Sequence, residues 1–232
     1  MTATTQSGGL YVGPIQYPIW PEETEAVAIS DVIKLVRFPD MAAINKQLRP
    51  IVLAEEARQR ESAPPPSRAM GGQKLRRPDH WDDPAFNVVH ARAQEVFRRA
   101  LNRREAHADG CWINVYRHGE SIGPHSHRRV QAAIVYMLDL GDEDPDCPVS
   151  GNFAIVDPRM EICTPMEKGC LSHPCQPKMT PGTFVIFPAQ AVHYVPAYFG
   201  QTPRITVSWN MADHPIEGSL WDAYKGQTAE TG

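Results

Sequence analysis

Residues 182–210, "GTFVIFPAQAVHYVPAYFGQTPRITVSWN", hold three runs rich in Val, Ile, Phe, Tyr and Thr, separated by Pro, Gly, Gln and Ala. β-Branched and aromatic residues suit a pleated, half-buried surface, and the turn residues between the runs set strand length. Toward the N-terminus the same texture returns in "CWINVYR" from Cys111, in "VQAAIVYML" and in "GNFAIVD". Six such runs at short spacing predict an antiparallel sandwich or barrel, and a jelly roll fits best. Alternate residues of each strand line the interior of that fold, so it has room for a small ligand together with a metal.

Further out, the chain to about residue 110 reads as mainly helical. Asp83 and Pro84 have the character of an N-cap and first helical position, and Phe86, Val89, Ala93, Val96, Phe97 and Leu101 recur at a spacing of three and four. That spacing makes one buried stripe. An earlier helix is expected from near Asp40, with Met41, Ile44 and Leu48 on one face and Pro50 kinking or ending it. Between the two, "ESAPPPSRAMGGQKLRRPDHW" is too rich in Pro, Gly and charge to pack as an element, and a loop of that length is a candidate lid. The expected organisation is a single domain over 1–232. Residues to about 110 form a helical support and lid, about 111–211 the jelly-roll core, and 212–232 a polar tail.

A chain of 232 residues with a formal net charge of -4 carries no basic field for nucleic acid or an anionic membrane. The N-terminus lacks the basic and apolar regions of a secretion signal, and no apolar run approaches membrane-spanning length, so a cytoplasmic chain is expected. Five cysteines are an odd number in a chain large enough to fold without staples, and reduced thiols are expected.

Of nine histidines, His125, His127 and His193 stand out. His125 and His127 lie two apart at the mouth of a strand, where side chains i and i+2 face one way. His193 lies in a later strand of the same predicted barrel. Imidazole nitrogens suit Fe, Zn, Cu or Ni, so the ligand type leaves the metal open. Arg204 follows His193 by eleven residues and starts "RITVSWN". A strand antiparallel to that of His193 would bring Arg204 back across the cavity, where its planar fork suits a carboxylate. Thr206, on the same face, adds a hydroxyl donor.

Together "YRHGESIGPHSH", "VYML" and "PGTFVIFPAQAVHYVPAYFGQTPRITVSWN" resemble the Fe(II)/2-oxoglutarate-dependent oxygenase superfamily, in particular a group of small bacterial members, over roughly residues 110 to 211. The resemblance implies a jelly roll in which His125 and His193 ligate Fe(II) and Arg204 binds the distal carboxylate of the cosubstrate 2-oxoglutarate. It also implies that Tyr136 donates to that carboxylate, that Tyr116 or Asn114 lines the pocket, and that no catalytic group is needed beyond the metal ligands. The implied partners are dioxygen and a small-molecule substrate, such as an amino acid or a natural-product intermediate, whose C–H bond is oxidised, most simply by hydroxylation. The family usually has a carboxylate at position 127. Here His127 either completes a three-histidine site, or points away, or yields to a carboxylate from elsewhere.

A second resemblance uses the same residues. Gly119, His125, His127 and Gln131, followed by Gly182, Pro188 and His193, are similar to the two cupin motifs, and cupins hold metal with three histidines without using 2-oxoglutarate. That reading leaves Arg204 without a role. A non-enzymatic ligand-binding jelly roll is a third. His118 and Glu120 spell a competing HxE pair, but they precede the turn into the metal strand. Cys163, Cys170, His173 and Cys175 have too irregular a spacing for a zinc site. The acidic "DLGDEDPDC" lacks the ligand order of a calcium loop and reads as a solvated hairpin connection.

Overall fold

The computed structural model describes residues 8–62, 72–164 and 172–218. The N-terminal part contains β1 (Gly9–Val12), β2 (Ile15–Pro18), β3 (Glu25–Ala28), β4 (Lys34–Arg37), helix α1 (Met41–Ser62), β5 (Gln73–Arg76) and helix α2 (Pro84–Leu101). It continues into β6 (His107–Tyr116), β7 (Ile122–His125), β8 (Ala132–Asp139), β9 (Ala154–Ile155), β10 (Thr183–Pro188), β11 (His193–Val195) and β12 (Arg204–Ala212). A seven-stranded sheet in the order β3-β4-β10-β8-β12-β6-β5 and a three-stranded sheet in the order β7-β11-β9 make the jelly roll, and β1 and β2 form a separate hairpin. The fold is thus mainly β with helices in the N-terminal region, as the strand texture predicts. No helix among the described residues is long and apolar enough to cross a membrane.

The large sheet has two unlike faces because its strands alternate. On β12, Ile205, Val207, Trp209 and Met211 join Ile113 and Val115 of β6 and Ile134 and Tyr136 of β8 in the core under the helices. The other face carries Arg204, Thr206 and Ser208, whose β6 partners in register are Tyr116, Asn114 and Trp112. These polar groups look toward the small sheet. Helix α2 starts as expected, with Asp83 Oδ1 accepting from the Phe86 backbone N at 2.8 Å and Pro84 following, and it ends on Asn102 in the left-handed region. Its Phe86, Val89, Ala93, Val96 and Phe97 are at most 1% exposed. Burying each of the larger ones contributes about 1.5–3 kcal/mol. Arg92, on the same helix, is fully buried and donates to both Asp40 carboxylate oxygens and to the Pro18 carbonyl, which fixes α2 to the segment leading into α1.

The N-terminal region holds the two expected helices, of 22 and 18 residues, together with five four-residue strands, β1 to β5, that the helical reading did not include. Helix α1 passes through Pro50 without ending there. Pro50 is exposed, and Ile44, Leu48 and Val52 on the buried face are all 0% exposed, so packing outweighs the lost backbone hydrogen bond. The expected lid divides. Residues 63–71 lie outside the described residues, and Gln73–Arg76 form β5 at the edge of the large sheet.

Candidate active site

His125 ends β7, and His193 begins β11 as its direct cross-strand partner. His127 sits beyond the end of β7, not at the mouth of the long β8, and its backbone N donates to Ala189 O at 2.8 Å. The three imidazoles converge. Their ring centroids lie 4.2 to 5.3 Å apart, and one ligand nitrogen from each falls within 4.8 Å of the others. Among the described residues they are the one cluster of His, Cys, Asp or Glu so arranged.

Two of the rings are held by the same backbone device. Nδ1 of His125 lies 2.9 Å from Gly123 O, and Nδ1 of His193 lies 2.9 Å from Ala191 O. A carbonyl accepts and never donates, so in both rings Nδ1 carries the proton and Nε2 offers its lone pair. Burial holds all three imidazoles below the usual histidine range, His127 to about 3 and His193 to about 4, with neighbouring rings adding to the shift at His127 and His193 and the Lys74 charge adding at His125 and His127. Neutral imidazole is the ligating form, and the donor set suits a divalent iron ion. His193 is further fixed by Phe187 and Phe153, whose ring centroids lie 4.8 and 5.7 Å from its own.

A clamp that the sequence did not reveal holds the turn before His193. Asp157 accepts from Val192 N at 3.2 Å and from Arg159 Nε at 2.8 Å, and Arg159 Nη2 donates to Gln190 O at 2.7 Å. The Arg159 guanidinium holds the Asp157 carboxyl down to about 2.

Across the cavity stands Arg204, 2% exposed, with no hydrogen-bond partner for its buried Nη1. Its strand pairs with β6 and β8, so Arg204 reaches the cavity from the large sheet and not from a neighbour of the His193 strand. The guanidinium carbon lies 5.1 Å from the Tyr116 ring centroid. Gly151, at φ +64°, leaves room for it, since a Cβ there would stand 2.9 Å from Arg204 Cδ. The acidic loop expected to be merely solvated also supports this corner. Asp142 accepts from Gln201 N at 2.9 Å and from Thr202 N at 2.7 Å, just before Arg204.

Asn114, Tyr116 and Thr206 line the same cavity of about 280 Å³ as the three histidines and Arg204. Asn114 Oδ1 is buried there without a partner. Tyr136 does not line it. It occupies the opposite face of β8 from Val135, fully buried under the helices, where its hydroxyl donates to Asn45 Oδ1. Its assignment to the cosubstrate is therefore corrected, because one step along a strand reverses the face. His118 is elsewhere as well, with Nδ1 donating to Phe199 O at 2.9 Å. Cys163 is buried with Sγ donating to Ile155 O at 3.3 Å, and Cys170 lies outside the described residues. Cys111, Cys147, Cys163 and Cys175 are free thiols. Lys74, Trp112, Ser208 and Phe153 also line the cavity and were missed. Alternation in "QKLR" would have pointed to Lys74 had β5 been recognised.

The fold and this cavity define a class, a jelly roll that turns three neutral imidazoles and a buried guanidinium toward one small chamber. Residues 110–210 match the model of the family described as "Putative 2OG-Fe(II) oxygenase", and over them the chain is similar to the Fe(II)/2-oxoglutarate-dependent oxygenases, oxidoreductases that use both iron and that cosubstrate. No curated protein matches the chain. Among solved structures, AviO1 from Streptomyces viridochromogenes is 15% identical, with a TM-score of 0.55 over 82% of this chain and 93% of that one. EctD from S. alaskensis is 14% identical, with a TM-score of 0.54 over 83% and 79%. The non-haem alpha-ketoglutarate-dependent epimerase SnoN from nogalamycin biosynthesis is 13% identical, with a TM-score of 0.52 over 77% of each. These three likenesses are of fold.

Proposed function

We propose that His125, His127 and His193 hold Fe(II), that Arg204 anchors the distal carboxylate of 2-oxoglutarate, and that the enzyme oxidises a C–H bond of a small molecule, with hydroxylation the simplest outcome. The observation that carries this reading is the unpartnered Nη1 of Arg204, buried in the same chamber as the three converged imidazoles. A guanidinium so placed is costly unless an anion joins it, and a carboxylate meets it with two parallel hydrogen bonds. EctD, whose structure is known with 2-oxoglutarate and 5-hydroxyectoine, shares the fold and makes hydroxylation a reasonable first outcome to test.

Each side chain then has a task. Gly123 and Ala191 carbonyls fix the tautomers and ring planes of His125 and His193. Thr206 and Tyr116, 2% and 1% exposed beside Arg204, shape the carboxylate pocket with their hydroxyls. Ile122, Phe153 and Val195 make apolar walls that exclude water and strengthen these polar contacts. When bound, the iron and 2-oxoglutarate supply the oxidising power drawn from dioxygen.

The test is succinate release from Fe(II), 2-oxoglutarate and air without a prime substrate. Slow release that needs both iron and 2-oxoglutarate is expected, and iron-replete protein that forms no succinate contradicts the proposal.

A further inference from the structure

The walls of the chamber carry, among the described residues, positive charge and no negative charge. Among the described residues that line it there is no Asp or Glu, whereas Arg204 and Lys74 both do. Lys74 lies on β5, in register with Asn114 of β6, and so on the chamber side of the large sheet. Its Nζ sits 4.9 Å from the centroid of the Trp112 ring, and that ring lies 5.8 Å from His127. No carboxylate pairs with Lys74 among the described residues. The side chain is open to solvent at the chamber mouth, yet the protein crowded around it holds its pKa below the usual lysine range, with Arg76 adding to the effect. Its charge is also felt at His125 and His127.

We propose that the prime substrate is a small organic carboxylate whose carboxylate pairs with Lys74 at the mouth of the chamber. The inference rests on the iron and 2-oxoglutarate assignment made above. In that assignment the two charges of the metal are balanced by the two of the cosubstrate, and the three ligands are neutral. The charges of Arg204 and Lys74 then remain in excess. A site with a carboxylate in place of His127 would carry one positive charge fewer. An anion is the partner that lowers the cost of the excess, and an ammonium on a flexible stem suits a single carboxylate approached from solvent. The Trp112 ring beneath Lys74 holds its ammonium in place, and Ile122 and Val195 give the chamber apolar wall for the rest of the molecule. A chamber of about 280 Å³, shared with the cosubstrate, favours a small one.

The experiment compares matched anionic and neutral probes, butyrate with butyramide and phenylacetate with phenylacetamide, on protein loaded anaerobically with Fe(II) and 2-oxoglutarate. Binding is read by saturation-transfer NMR for the parent, Lys74→Met and Lys74→Arg. The parent should bind at least one carboxylate fivefold or more tightly than its amide. Lys74→Met should lose that preference, Lys74→Arg should keep most of it, and the amides should bind all three alike. No carboxylate preference in the parent, or a preference that survives in Lys74→Met, overturns the proposal. A tenfold loss of 2-oxoglutarate affinity in Lys74→Met also overturns it, by assigning Lys74 to the cosubstrate. Failure of the functional reading itself is seen separately, as an absent 2-oxoglutarate absorption before any probe is added, and the Lys74-dependent preference is then still read from the same spectra.

Discussion

His125 and His193 face each other across β7 and β11, and each turns its Nδ1 toward the carbonyl two residues earlier in its own segment, at 2.9 Å in both cases. The symmetry means that loss of either ring removes a pre-oriented donor and leaves two. His193→Ala should reduce iron from one ion per chain to a small fraction of that, measured by metal analysis of anaerobically reconstituted protein. Full occupancy in the variant would show that His193 is not a ligand.

His127 lacks that carbonyl restraint, and its place in the cluster comes from the extended segment after β7. His127→Ala should weaken Fe(II) binding severely, whereas His127→Asp should keep iron by restoring an anionic donor at the same position. If His127→Ala bound iron as tightly as the parent in a competition titration with a chelator, the three-histidine site would be wrong.

Asp157 should matter for both stability and the metal. Asp157→Asn keeps the shape but loses the charge that holds Arg159, and a loss of about 1–3 kcal/mol is expected in denaturant unfolding, with weaker iron binding because Val192 and Gln190 are released. A carboxyl held down to about 2 contributes stability that is complete above about pH 4 and is lost as the pH falls through about 2. The gap between parent and variant should therefore close over that window. A gap that stayed constant from pH 5 to pH 2 would mean that the charge is not what Asp157 contributes.

Tyr136→Phe tests the corrected assignment. The change strands the buried Asn45 Oδ1, so about 1–3 kcal/mol of stability should be lost. Affinity for 2-oxoglutarate should not move, because the hydroxyl lies on the helix side of the sheet. A tenfold fall in that affinity, measured on folded variant, would return Tyr136 to the cavity.

The parts of this molecule legible in its sequence are those whose signal is local. Asp83, Pro84 and the apolar stripe after them declare α2 because cap and periodicity lie within one short window. The long strands around Tyr116, Val135 and Trp209 declare themselves by composition. β3, "EAVA", is exposed at all four positions and carries no alternation, so only its pairing with β4 makes it a strand. β5 is hidden in the same way inside a segment rich in Pro, Gly and charge. Pro50 reads as a helix breaker until the buried face beneath it is known. The histidine cluster was legible because two of its rings lie two residues apart in the sequence and the third lies in a strong β-run. Which sheet carries Arg204, and which face carries Tyr136, depend on register, and one residue of register reverses every side chain.

In the proposed function, Arg204 and the three histidines serve one small-molecule reaction through a shared cosubstrate. Anaerobic titration of the Fe(II) protein with 2-oxoglutarate, followed by the charge-transfer absorption of the chelate, tests it in the parent, Arg204→Ala and Arg204→Lys. The parent should develop the absorption. Arg204→Ala should lose well over tenfold in affinity, in keeping with roughly 2–5 kcal/mol for stranding a buried carboxylate, and Arg204→Lys should recover part of it. Iron content should be the same in all three proteins. No absorption in the parent, or equal affinity in parent and Arg204→Ala, would contradict the oxygenase and favour a three-histidine cupin chemistry that does not use 2-oxoglutarate.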